Sequence, residues 1–152
     1  MNNSDKALYA ELENDLKVLE SKKEEAEKRL NAVKESLNAL DTKLAGVSLD
    51  DYDFSEQYDE SLDSDGTVTV CGFEYDPSRI LKELDPDAYR CGLIDYVDAC
   101  HSVEETEEYK EIQEEIEEQE TEVECIEEDI WQLEIEIEDV ETQLTDLEDS
   151  EQ

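Results

Sequence analysis

Forty-nine carboxylates, four cysteines and one histidine carry nearly all the chemistry open to this 152-residue chain. Paired carboxylates can act as general acid and base, but only in a pocket that drives their two pKa values apart. Here the pairs fall on almost every turn of a charge-dense sequence, and no pattern encloses any one of them. His101 follows Cys100 directly, with Cys91 nine residues earlier. Structural zinc sites usually show close ligand pairs such as C-x-x-C, and none occurs, so these cysteines read as buried or half-buried thiols. Neither a phosphate-cradling glycine loop, nor a nucleophile elbow, nor a Ser-His-Asp or Cys-His set is found. The sequence therefore predicts no enzyme activity, no catalytic residue, no cofactor and no metal site.

Charge itself is the remaining chemistry. From Glu104 to Asp149 there are 23 acids against the single Lys110, which supplies about -22 of the chain's net -37. Carboxylates at i, i+4 on a helix repel by a few tenths of a kcal/mol per pair, so this density calls for a functional reading. Such a charge opposes direct contact with nucleic acid or anionic membrane. It points to basic surfaces, including those of proteins that themselves bind nucleic acid. Spread along the roughly 58 Å of a 39-residue helix, the 23 acids would stand about one per 2.5 Å, approaching the roughly 1.7 Å of duplex DNA. A solvated coiled-coil face is also Glu-rich, but there Lys normally accompanies Glu. The candidate partner-binding residues are Glu114, Glu115, Glu118, Glu122, Glu128 and Glu136, with Trp131 and Ile135 as an apolar patch one turn long and Cys125 on the same general side. That patch is either a docking site for a partner or second copy, or ground covered by other parts of the chain.

These residues need a rod to hold them. Tyr109, Ile112, Ile116, Gln119, Val123, Ile126, Ile130, Leu133, Ile137, Val140, Leu144 and Leu147 alternate spacings of three and four, the seam of a coiled coil. Tyr9, Leu12, Leu16, Leu19, Lys23, Ala26, Leu30, Val33, Leu37, Leu40 and Leu44 repeat it, after a cap at Ser4 or Asp5 and before Gly46. Two matched seams around an insert predict a mainly α fold: an antiparallel coiled-coil hairpin of helices, with a small β-hairpin plus two-helix module at its closed end. Ala26 then lies opposite Ile126, while polar Lys23 and Gln119 sit in the seam near Ile130 and Val33. Such residues either fix register or are tolerated where a long stem reaches solvent. The segments are 5–45 for the first arm, 46–66 for an acidic loop, 67–102 for the module and 103–149 for the acidic arm. The first arm is nearly neutral, eight positive against nine negative between Lys6 and Ala45. A proteome-wide acidic bias would not spare it.

The stretch from Val47 to Asp65 reads as a mobile loop with one short turn at Ser48, its Tyr52, Phe54 and Tyr58 either serving an interaction or docking on neighbouring helices. In the module TVTV and FEY form a hairpin turned at Cys71-Gly72. Asp76-Pro77 and Asp85-Pro86 start helices running to Leu84 and to about Cys100. Its expected core is Val68, Val70, Phe73, Tyr75, Ile80, Leu81, Leu84, Tyr89, Leu93 and Val97.

The segment FEYDPSRILKELDPDAYRCGLIDYVDAC resembles one recurring in uncharacterised phage-encoded open reading frames, which implies a phage or mobile-element origin and transfers no functional residue. In charge and size the whole chain is similar to phage inhibitors that imitate DNA, as anti-restriction and anti-CRISPR proteins do. That similarity implies inhibition of a host DNA- or RNA-binding protein; the alternative is a structural or adaptor coiled coil of a virion or assembly complex. A homodimer is compatible with either. No run approaches 18 apolar residues, and MNNSDKALYAELEND lacks a signal-peptide layout, so a cytoplasmic protein is expected, in the host cytoplasm if phage-encoded. The scattered cysteines agree with a reducing compartment.

Overall fold

A computed structural model describes residues 2–151. They form two compact units, one drawn from residues up to Lys43 and from Ile112 onward, the other spanning Leu44–Glu111.

The first unit is a pair of long helices, α1 (Asn3–Ala45) packed against α5 (Glu107–Asp149), each of 43 residues. Every expected seam residue is buried or half-buried, and every other position on the two helices is exposed apart from Asp5 and Glu122. The deepest are Ile126 and Ile112, 2% and 3% exposed. The heptad pattern therefore sets which stripe of each helix faces its partner, because apolar side chains three and four apart share one face. Ion pairs report the direction. Arg29, one residue before seam Leu30, bonds Glu122, one before seam Val123, at 2.8 Å. Lys34, one after Val33, meets Glu127, one after Ile126, at 3.6 Å. Like flanks meet like flanks in this way when two seams run antiparallel.

Three local expectations change. Asn2, rather than Ser4 or Asp5, caps α1: its side-chain oxygen accepts the Asp5 N–H at 2.7 Å, satisfying one of the free amides of the first turn. Lys23 passes Ile130 and reaches Glu134, one turn on, at 3.2 Å, so its stem lies in the seam and its charge escapes. Gln119 does not escape, and its amide oxygen is buried with no hydrogen-bond partner.

The second unit contains the β-hairpin and three short helices. Helices α3 (Pro77–Leu84) and α4 (Pro86–Cys100) have the expected bounds, since proline's fixed φ suits a first helical position. Asp85 caps α4 by accepting the Ala88 N–H at 3.0 Å. Asp76 stands at the N-cap of α3 without capping it. Asp63 instead accepts the Ser78 N–H at 2.9 Å and its hydroxyl at 2.8 Å, where the amide ends of a helix favour a carboxylate.

Asp63 belongs to a helix that stands where a mobile loop is expected from the sequence. After a turn at Leu49–Asp51 whose Asp50 N–H is held by Ser48, residues Ser55–Asp63 form α2. Nine residues with only Tyr58 and Leu62 as apolar anchors carry too little period to reveal a helix. Packing supplies the stability. Tyr58 is buried, with ring centroids 5.2 Å from Tyr89 and 5.5 Å from Tyr96. Gly92 on α4 makes room for it: a Cβ there would lie 2.0 Å from the Tyr58 hydroxyl oxygen. The ring of Phe54 stacks on His101 at 4.2 Å, and Tyr96 meets His101 edge-on at 5.6 Å.

This aromatic cluster displaces half of the expected core. Ile80, Leu81, Tyr89, Leu93 and Val97 are half-buried as expected. Strands β1 (Val68–Val70) and β2 (Phe73–Tyr75) pair Val68 with Tyr75 and Val70 with Phe73, turning through Cys71 and Gly72 at φ 51° and 83°. Both positive angles mark the two-residue turn whose twist suits a hairpin. All four apolar strand residues are nevertheless exposed, as is Leu84. A two-stranded sheet can bury an apolar face only against something else, and here α2 occupies α3 and α4 instead.

Candidate binding surface on the acidic arm

α5 spans about 64 Å at 1.5 Å per residue. It holds 21 acids against Lys110, since Glu104 and Glu105 lie in the preceding turn. The spacing is therefore about one charge per 3 Å, sparser than expected, because the 23 acids from Glu104 to Asp149 occupy 46 residues rather than 39. It matches one DNA strand, at roughly 3.4 Å per phosphate, rather than the duplex at roughly 1.7 Å.

The structure divides the candidate residues between two faces. Counted from the seam, Glu114, Glu128 and Ile135 lie farthest from α1, with Glu118 and Trp131 beside them, and all five are exposed. Glu115, Glu122 and Glu136 each precede a seam residue and lie on the flank. Glu122 is held by Arg29 and is the least available of the set. Glu136 borders a groove of about 360 Å³ shared with Val18 and Lys22 of α1. Three cross-arm ion pairs engage α5 among the described residues, those of Lys23, Arg29 and Lys34. Tyr9 donates to Glu148 at 2.6 Å, and this bond to a carboxylate holds the phenol pKa above its ordinary value.

Trp131 is 56% exposed and Ile135 43% exposed among the described residues, so the patch is open. Acids at i-4, i-3, i+3 and i+7 from Trp131 (Glu127, Glu128, Glu134, Glu138) surround it on the helix.

Elsewhere Asp59, Lys82 and Tyr89 form one coupled cluster. Asp59 accepts hydrogen bonds from Lys82 and from Tyr89, the latter at 2.6 Å, and the Lys82 ammonium stands 5.0 Å from the Tyr89 ring centroid. Partial burial alone would raise the Asp59 pKa, but the two hydrogen bonds outweigh it and the pKa is lowered. The bond to Asp59 raises that of Lys82, and burial followed by that bond raises Tyr89. Each group is locked in its ordinary neutral-pH state, the opposite of a base or nucleophile poised near pH 7. Cys91 and Cys100, expected to be at least half-buried, are exposed, as are Cys71 and Cys125. His101 is engaged with aromatic rings, and its Nε2 is buried without a hydrogen-bond partner. Among the described residues no group of three or more His, Cys, Asp or Glu is placed to hold a metal ion, and no helix is long and apolar enough to cross a membrane.

No family model, curated protein or solved structure matches this chain. The surface must be read from its own chemistry.

The six glutamates were expected to share one outer face, but Glu115, Glu122 and Glu136 each precede a seam residue and stand on the flank. The Arg29–Glu122 pair was missed, though it was readable once both arms were numbered from their seams: each residue immediately precedes one.

Proposed function

We propose that this chain is a non-enzymatic binding protein that imitates the charge of a nucleic-acid strand and occupies the basic surface of a DNA- or RNA-binding protein. On a phage or mobile-element origin, the target is a host factor such as a defence nuclease, a restriction or CRISPR effector, or a repair factor. One observation carries this reading: the 43-residue α5 carries acids at strand-like spacing along its length, while its sister helix is close to neutral. Charge of one sign confined to one arm speeds encounter with a basic partner and repels acidic ones. The protein acts from the host cytoplasm, makes no direct contact with nucleic acid or membrane, and needs no cofactor.

The test is competition. Complexes captured from host lysate on the immobilised chain should be released by added duplex or single-stranded DNA and by raising salt from 0.05 to about 0.5 M, where the Debye length falls below about 5 Å. Retention of the partner under both treatments would refute mimicry.

The exposed Trp131–Ile135 patch favours a second reading, a structural or adaptor coiled coil in a virion or assembly complex, held by apolar contact. Such a complex would withstand both DNA and salt.

A further inference from the structure

The second unit carries a groove that the acidic arm's function does not use. It runs between the 49–54 segment and α4 and has a volume of about 250 Å³. Its floor is aliphatic, formed by Leu49, Leu93, Ile94 and Val97, and Phe54 closes one side with its ring fixed against His101. Ile94 is 58% exposed on that floor, and Tyr52, 38% exposed, stands at the edge with its ring centroid 6.2 Å from that of Phe54. Three carboxylates, Asp50, Asp53 and Asp98, line the same groove, and no lysine or arginine does. The module's cations are committed elsewhere: Lys82 to Asp59, Arg79 to Glu83 and Arg90 to Asp87. Asp53 is held in place by the Ser55 N–H at 2.9 Å, and hydrogen bonding first to the Ser55 side chain and then to that N–H keeps its carboxyl below the usual pKa range.

We propose that this groove is a docking site for a basic amphipathic peptide segment of a partner protein, one aliphatic side chain lying on Leu93, Ile94 and Val97 and flanking Lys or Arg side chains meeting Asp50, Asp53 and Asp98. Size and charge select this occupant. At about 30 Å³ per water, the volume equals roughly eight waters, enough for a leucine-sized side chain and part of a neighbouring stem. An apolar floor alone would take any hydrophobe, but three carboxylates around it repel acidic segments and desolvate unfavourably against neutral ones. A second copy of this chain is disfavoured on the same ground, since a net charge of -37 on each copy opposes their approach. The site is independent of α5, so its fate does not depend on the mimic reading.

The experiment uses the full chain with ¹³C-labelled methyl groups and three probes: acetyl-Lys-Leu-Lys-amide, acetyl-Lys-Ser-Lys-amide and acetyl-Glu-Leu-Glu-amide. The first should shift the Leu93, Ile94 and Val97 methyl resonances saturably, with an affinity in the millimolar range typical of so small a ligand, about -4 kcal/mol. The serine probe should spread weak shifts over the acidic surface without saturating at those methyls, and the glutamate probe should do nothing. Ile94→Ser, at an exposed position, and the pair Asp53→Asn with Asp98→Asn should each weaken the first probe about fivefold or more. Asparagine keeps the acceptor for Ser55, so the fold is retained and far-UV circular dichroism checks it. Saturating methyl shifts with the glutamate probe, or equal affinity in both variants, would overturn the proposal.

Discussion

Gly92→Ala is expected to destabilise the second unit, although helix propensity says the reverse. In an exposed helix interior, alanine is favoured over glycine by about 1 kcal/mol, and α4 continues for eight residues beyond this position. Against that stands geometry: the new methyl would lie 2.0 Å from the Tyr58 hydroxyl oxygen and 3.1 Å from the ring carbon that bears it. A phenol held between Tyr89 and Tyr96 cannot retreat without opening both contacts. Overpacking of this kind costs about 1–3 kcal/mol and more where a buried aromatic is expelled, so the net loss should be about 1–2 kcal/mol. Tyr58→Phe supplies the control. It removes the closest atom and leaves a 3.1 Å approach that small shifts absorb, so the double variant should recover most of the loss, and the coupling between the two sites should exceed about 0.5 kcal/mol. Hydrogen exchange of the α4 amides reports the unit directly, while Trp131 fluorescence follows α5 and should not change. If Gly92→Ala slows exchange in α4, or if Tyr58→Phe fails to rescue it, close approach is not why glycine stands there.

Replacing Glu114, Glu115, Glu118, Glu122, Glu128 and Glu136 by Gln should leave helix content intact, raise the thermal midpoint as repulsion falls, and weaken binding to a basic partner with a shallower salt dependence; titration calorimetry at two salt concentrations checks this, and unchanged affinity would reject the mimic. Trp131→Ala should move the midpoint by no more than a few degrees yet weaken partner binding by about 2 kcal/mol, whereas a large fall in stability would mean the ring is core after all. Gln119→Leu should stabilise the arms by about 1–3 kcal/mol in urea titrations by removing a buried acceptor that has no donor. Asp59 has a lowered pKa, so its contribution is present above the ordinary value near 3.8 and is lost as pH falls through the lower folded value. Lys82 and Tyr89 have raised pKa values, so theirs are present below 10.5 and 10.0 and are lost as pH rises through the folded values. Thermal unfolding of the second unit should therefore be flat from about pH 5 to 9 and fall beyond pH 10, and Asp59→Asn should flatten the alkaline fall.

The long helices were legible because one rule acts on them many times. Eleven and twelve seam positions all obey a single spacing, so a local exception such as Lys23 cannot shift the register. α3 and α4 were legible through Asp-Pro, a signal set by backbone geometry and indifferent to packing. α2 was hidden because its stability comes from distant partners, above all Tyr58 entering space that Gly92 leaves free. The cue was Gly92 itself, a glycine in mid-helix with no cap to make. The hairpin shows the converse: alternation and turn were read correctly, while burial was not, because alternation shows that residues share a face without showing what lies over it. Asp76 was expected to cap α3 and does not, for a related reason: the cap comes from Asp63 on another helix, and such a cap has no spacing rule.

The exposed hairpin face has a further consequence for how the protein behaves in solution. Val68, Val70, Phe73 and Tyr75 share one side of a sheet with two open edges, an arrangement that usually invites strands from other molecules to add on. A net charge of -37 on each chain keeps copies apart, as charge does in a stabilised colloid. Salt removes that barrier over a few ångströms. Ionic strength therefore turns two dials in opposite senses: it loosens the grip of the acidic arm on a basic partner while letting hairpin faces find one another. Stocks kept in low salt should stay dispersed and competent, and the conditions commonly chosen to suppress non-specific binding are those under which this protein should begin to associate with itself.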